Sequence, residues 1–171
     1  MNSFVVEDGV AKIYSNSAWT NFSTGEMKSA TAEKIDVTKT YILQYDVKID
    51  PNYSKNETNV QNTLTFNYGS WGGSWASDCL SFAWDSSGNL GIYDSTPSSI
   101  GTKKTDIDAD KFYTIETSFV PTLDDKKQAT KITVTTSIII GTETKQINQF
   151  EFSDLGSTFN GYCWDIYYPA N

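Results

Sequence analysis

Through most of this chain an apolar residue returns at every second position, a period that suits a half-buried strand and not a helix. In Tyr41–Ile49, the residues Tyr41, Leu43, Tyr45, Val47 and Ile49 fall on one face, and Ile42, Gln44, Asp46 and Lys48 on the other. Leu64, Phe66 and Tyr68 alternate with Thr and Asn, and Leu80, Phe82 and Trp84 alternate with Cys79, Ser81 and Ala83. The same rule runs through Tyr113–Phe119, Ile132–Ile140 and Tyr162–Tyr168. Enrichment in β-branched and aromatic side chains fits a pleated surface.

Turn chemistry separates these runs. Glu7-Asp8-Gly9 turns a first hairpin, from Phe4–Val6 to Ala11–Tyr14. Asp85-Ser86-Ser87-Gly88-Asn89 turns a second, Pro121–Lys127 reads as a linker, and Gly141–Thr144 turns the chain back. Only Ser29–Asp36 offers a short helical turn. With no internal repeat or interdomain linker, residues 1–171 are expected to form one all-β domain, an antiparallel two-sheet β-sandwich of jelly-roll type.

Composition narrows the chemistry. The chain has no histidine and no arginine, but five Trp, ten Tyr and nine Phe. It therefore lacks the usual general base and commonest metal ligand, and the preferred fork for phosphates and carboxylates. A net charge of −8 repels nucleic acid and anionic membranes, so neither is an expected partner. No apolar run approaches the roughly 20 residues of a membrane-spanning helix. The Thr-, Ser- and Asn-rich composition, without a signal-like opening, favours a module of a larger secreted or cell-surface protein over a cytoplasmic one. Cys79 and Cys163 lie in strand-like segments; a bridge is geometrically open, and two buried thiols are the expected state.

The order of segments resembles the concanavalin A-like (laminin-G-like) jelly rolls of lectins and carbohydrate-binding modules. The resemblance rests on FVVEDGVAKIY, YILQYDVKID, SFAWDSSGNLGIYD, DKFYTIETSF, DDKKQATKITVTTSI and the closing YCWDIYYP. It implies sugar binding. By position it also implies a structural calcium ion held by Glu7 or Asp8 together with Asp165, although no acidic loop of the D-x-D-x-D-G type is present. Jelly-roll glucanases carry both acids on one strand as E-x-D-x-x-E, an arrangement missing here.

Gly69–Asp78 is the most unusual stretch, with Trp71 and Trp75 among glycine and serine between two strands. An indole face left in water stacks on the apolar C–H face of a pyranose, and neighbouring amides and carboxylates satisfy the hydroxyls. Asn67 and Asp78 beside the loop, and Gln44 and Asp46 on the preceding strand, are the expected polar partners. Trp19, with Phe22, forms a second candidate platform; Tyr167 is held in reserve, and Trp84 and Trp164 read as core. Lysines cluster as Lys103-Lys104 and Lys126-Lys127 in apparent turns, so a neutral glucan or hemicellulose suits the chain better than a uronate. The expectation is a non-catalytic carbohydrate-binding module that needs no cofactor for ligand capture. An adhesin or tail-fibre-type interaction domain and a glycoside-active enzyme with an atypical acid pair are the alternatives.

Overall fold

A computed structural model describes residues 3–14, 36–52, 64–70, 75–96, 99–153 and 162–167, with eleven strands among them. A hairpin of β1 (Ser3–Glu7) and β2 (Val10–Tyr14) forms a sheet of its own. Its two-residue turn places Asp8 and Gly9 at φ of 52° and 77°, the left-handed pair that an Asp-Gly hairpin turn requires. The remaining strands are β3 (Tyr41–Val47), β4 (Leu64–Ser70), β5 (Trp75–Trp84), β6 (Leu90–Thr96), β7 (Ser99–Asp106), β8 (Tyr113–Leu123), β9 (Ala129–Ile140), β10 (Glu143–Phe152) and β11 (Tyr162–Tyr167).

These nine build an antiparallel two-sheet β-sandwich. One sheet has the order β10-β9-β8-β3 and the other β11-β4-β5-β6-β7. Each is a meander of consecutive strands closed by one strand from a distant part of the chain, with crossings between sheets after β3, β7 and β10. That nested connection is of the jelly-roll type. Expected alternation becomes observed burial: Tyr113, Ile115, Thr117 and Phe119 of β8 and Ile132, Val134, Thr136 and Ile138 of β9 all point inward. They meet Leu80 and Phe82 of β5, and Leu90 and Ile92 of β6. Each such aliphatic or aromatic side chain removed from water stabilises the fold by about 1.5–3 kcal/mol.

The second sheet departs from simple alternation. Ser81, Ala83 and Tyr93, on the side opposite the core, are also buried, so the centre of β5 and β6 is covered on both faces. Part of that cover is the aliphatic stem of Lys103, which lies where a Cβ on Gly91 would stand. Lys103-Lys104 thus belongs to a strand and not to a turn as expected. Lys126-Lys127 does occupy a turn, with Lys127 at a φ of 63°.

Two further boundaries differ from expectation. Pro121 lies within β8, paired with Ile132, and not in a linker. It is tolerated because β3 pairs with β8 only as far as Phe119, so no neighbour on that side needs a proline N–H. Pairing of β4 with β5 also extends to Gly69 opposite Trp75, so Gly69, Ser70 and Trp75–Asp78 of the expected Gly69–Asp78 loop are strand residues. The helical turn expected at Ser29–Asp36 lies outside the described residues, apart from Asp36.

The core contains one polar contact that tests its tightness. Thr117 and Thr136, register partners in β8 and β9, are fully buried with their hydroxyls 3.1 Å apart. Thr117→Val alone should cost about 1–3 kcal/mol by stranding its partner, whereas the Thr117→Val/Thr136→Val pair should be nearly neutral. Urea denaturation of the two single variants and the double variant measures this. The strand order also settles the cysteines. Cys163 sits opposite Gly69 and Cys79 opposite Asn67, on the two strands flanking β4. Two strand spacings, roughly 9–10 Å, exceed the reach of a disulfide. Thiol titration of the denatured, unreduced protein should therefore find both thiols free.

Candidate functional site

At one end of the sandwich the β5–β6 turn, the β7–β8 crossing and the end of β9 surround an open groove of about 570 Å³. Trp84, the last residue of β5, forms one wall. It packs partly against the core and is only half-buried, because its strand ends there. Gly88 and Asn89 come from the β5–β6 turn, Asp106 from the end of β7, and Asp108 and Lys111 from the crossing. Pro51, Leu90, Ile107, Ala109, Tyr113 and Ile140 complete the lining.

Local sequence fixes each wall. In the β5–β6 turn, Asp85 Oδ1 accepts the N–H groups of Ser87 and Asn89, both at 2.9 Å, and Gly88 takes a φ of 80°. Asp124 builds the same arrangement in the β8–β9 turn by accepting from Lys126 and Gln128. At the groove, the second oxygen of Asp85 takes an additional partner, Lys103 Nζ at 2.8 Å. Lys103 also pairs with Asp106, so one ammonium ties the turn to the groove wall. Hydrogen bonding from Lys103 and then the turn N–H groups holds the Asp85 carboxyl down to about 2. Burial works against the charge on Lys103, but its bonds to Asp106 and Asp85 outweigh that and raise its pKa. Burial also raises the pKa of the neighbouring Tyr93 phenol.

The β7–β8 crossing is clasped just as closely. The Tyr113 hydroxyl accepts the Asp108 N–H at 2.8 Å, and the Asp110 N–H donates to the Ile49 carbonyl at 2.8 Å. Lys48 Nζ lies 3.0 Å from Asp110 Oδ1, and Lys111 Nζ 3.8 Å from Asp108 Oδ2. Asp106, Asp108 and Asp110 alternate along the chain as D-x-D-x-D, but Lys111 follows where the glycine of a D-x-D-x-D-G calcium loop would stand. Each of the three faces a different lysine. Among the described residues no three acids or cysteines converge as metal ligands.

The sequence-chosen residues are only partly brought together. Trp19 and Trp71 lie outside the described residues. Trp75 and Asp78 are strand residues of β5, and Trp75 stands opposite Gly69. Asp165, Asn67, Cys79 and Ser95 form one row across the five-stranded sheet, while Tyr167, Thr65, Ser81, Tyr93 and Lys103 form the next parallel row on the same face. Gln44 and Asp46 are exposed as expected, but β3 belongs to the other sheet. They therefore face away from the core on the opposite side of the sandwich and do not join Asn67 and Asp78. Asp46 instead accepts the Thr114 hydroxyl at 2.6 Å. Glu7 and Asp8 lie at the turn end of the separate hairpin, in a different sheet from Asp165.

Sequence reasoning missed the groove because Trp84 continues an apolar strand face and so read as core. The available signal was its position immediately before Asp85, where the strand stops and an indole reaches the rim. Compared with known protein families, curated proteins and solved structures, the chain matches none.

Since Asp85 has a folded pKa of about 2 against an ordinary 3.8, its ionised form is favoured by folding. That stabilisation is complete above about pH 5 and is lost progressively as the pH falls to about 1. Thermal unfolding of wild type and Asp85→Asn across this range should show a constant gap above about pH 5 that narrows on acidification. A gap undiminished at about pH 2 would contradict the assignment.

Proposed function

We propose that the protein is a non-catalytic carbohydrate-binding module for a neutral polysaccharide and that the sandwich-end groove holds the sugar. One observation carries the reading: an indole wall, Trp84, shares an open groove with Asp106 and Asp108, two carboxylates already matched to lysines. A carboxylate in an ion pair still accepts hydrogen bonds from hydroxyls, but it offers little net field to a charged ligand. Asn89 adds a side chain able to donate and accept. The volume lies within the usual range of about 300–1,000 Å³ for small-ligand sites.

Such a groove suits a glucan or hemicellulose segment better than a uronate. The affinity should be modest because much of the ligand would stay in water. The sugar reading also fits a chain without histidine or arginine, in which polar and stacking groups outnumber proton-transfer groups. On this reading the domain serves a larger secreted or cell-surface protein by holding it against polysaccharide.

Native gels containing hydroxyethyl cellulose, xyloglucan or mixed-linkage glucan provide the test. Wild type should be retarded in at least one of them. Trp84→Phe should weaken binding about tenfold if the larger indole face is worth ~1.4 kcal/mol, and Asn89→Ala/Asp106→Ala should weaken it further. Trp71→Ala and Trp75→Ala, run alongside, would report a contribution from that segment. Free migration of folded wild type in every gel would overturn the reading. Growth of reducing ends would instead make Asp106 and Asp108 candidates for a catalytic pair.

A further inference from the structure

We propose that Lys111 sets the ligand specificity of the groove, a role that rests on the sugar-binding reading above. Its ammonium fills the corner where an amine-bearing sugar would bind and so reserves the site for uncharged glycans. Lys111 is the only cation among the lining residues, which also include the carboxylates of Asp106 and Asp108. Its Nζ lies over the Tyr113 ring, 5.4 Å from the centre, and 3.8 Å from Asp108 Oδ2. Tyr113 borders the groove and yet is only 6% exposed.

An aromatic face beside a carboxylate suits an ammonium group. The Tyr113 hydroxyl holds the two together, since it accepts the Asp108 N–H at 2.8 Å and lies 3.4 Å from Asp108 Oδ2. Asp106, the other carboxylate of the lining, is already engaged by Lys103, which does not line the groove. Lys111 therefore stands between the Tyr113–Asp108 corner and any incoming cation. A chain of net charge −8 draws cations to its surface, and a groove with two carboxylates and no lysine of its own would collect them. The pair with Asp108 does little for the fold, because both side chains are more than half exposed. As a tethered group, however, the Lys111 ammonium competes at an effective concentration of about millimolar or above, enough to keep out a weakly bound amine. A sugar hydroxyl gains little from the charge in that corner, so a neutral chain is not penalised. Discrimination then comes from a cost placed on the wrong ligand.

Calorimetric titration with chitosan hexasaccharide, a β-linked glucan with amines in place of its C2 hydroxyls, tests the assignment in mildly acidic buffer, where those amines are charged. The neutral polysaccharide that retards wild type in the gels is the reference ligand. Lys111→Met, Lys111→Arg and Lys111→Met/Asp108→Asn are compared with wild type. Lys111→Met should bind the chitosan oligomer at least about tenfold more tightly than wild type, with an affinity that falls as salt is added. Lys111→Arg should keep the exclusion, and Lys111→Met/Asp108→Asn should lose the gain. Binding of the neutral polysaccharide should stay close to wild type in Lys111→Met. Removing a merely structural lysine would not create affinity for a new class of ligand. No gain in Lys111→Met, or chitosan binding by wild type as tight as by Lys111→Met, would overturn the assignment and leave the groove reading intact. If no neutral polysaccharide retards wild type, the groove reading falls and the role of Lys111 falls with it.

Discussion

Two meanders that each expose an apolar face can hide it only against one another, and the rest of the molecule follows from that constraint. Neither sheet has helices to cover it among the described residues. The inner residues of β8 and β9 must therefore find those of β5 and β6 across the sandwich, and the chain must cross between layers to bring them there. The inward row is not wholly apolar. Thr117 and Thr136 interrupt it and satisfy one another, which fixes the β8–β9 register from inside the core as well as along the backbone ladder.

The same crossing produces the groove. A chain leaving β7 in one sheet must pass the open end of the sandwich to enter β8 in the other, and the intervening six residues roof that end without filling it. Their hold on the scaffold is dense: Ile107 N–H to the Leu90 carbonyl, Asp108 N–H to the Tyr113 hydroxyl, and Asp110 N–H to the Ile49 carbonyl. Irregular backbone tied down by its own polar groups behaves as a wall and not as a lid.

Where two-residue periodicity met clear turn chemistry, the sequence was readable: the Asp8-Gly9 turn, β3, β8, β9 and the Asp85 turn all stand close to their expected places. It misled where local composition and tertiary context disagree. Ser99–Asp106 carries two lysines and no alternating apolar face, so nothing local marks it as a strand; β6 recruits it through backbone pairing, and Gly91 gives the Lys103 stem room. Pro121 argued for a linker, yet a strand that has lost one neighbour accepts proline. Grouping Gln44 and Asp46 with Asn67 assumed that strands adjacent in sequence share a sheet, and the crossing after β3 separates them. Periodicity reports which face a residue takes along its own strand. It does not report which sheet the strand joins.

Stability alone does not account for the charges around the groove. Exposed ion pairs such as Lys111–Asp108 contribute about 0–1 kcal/mol, less than any one of the buried side chains of the core. Lys103, with its side chain 24% exposed, loses part of its hydration, a cost that an apolar residue covering Gly91 would avoid and that its bonds to Asp106 and Asp85 offset. What Lys103 does that an apolar residue could not is bind Asp85 and Asp106 at once, so that the turn carrying Asn89 and the carboxylate of Asp106 share one fixed point. On the proposed sugar-binding reading, a site for hydroxyls needs that kind of fixity, since each hydroxyl offers a directional bond that water would otherwise satisfy equally well. In a chain with a net charge of −8, local neutralisation by lysine also keeps the groove from becoming simply another part of an acidic surface.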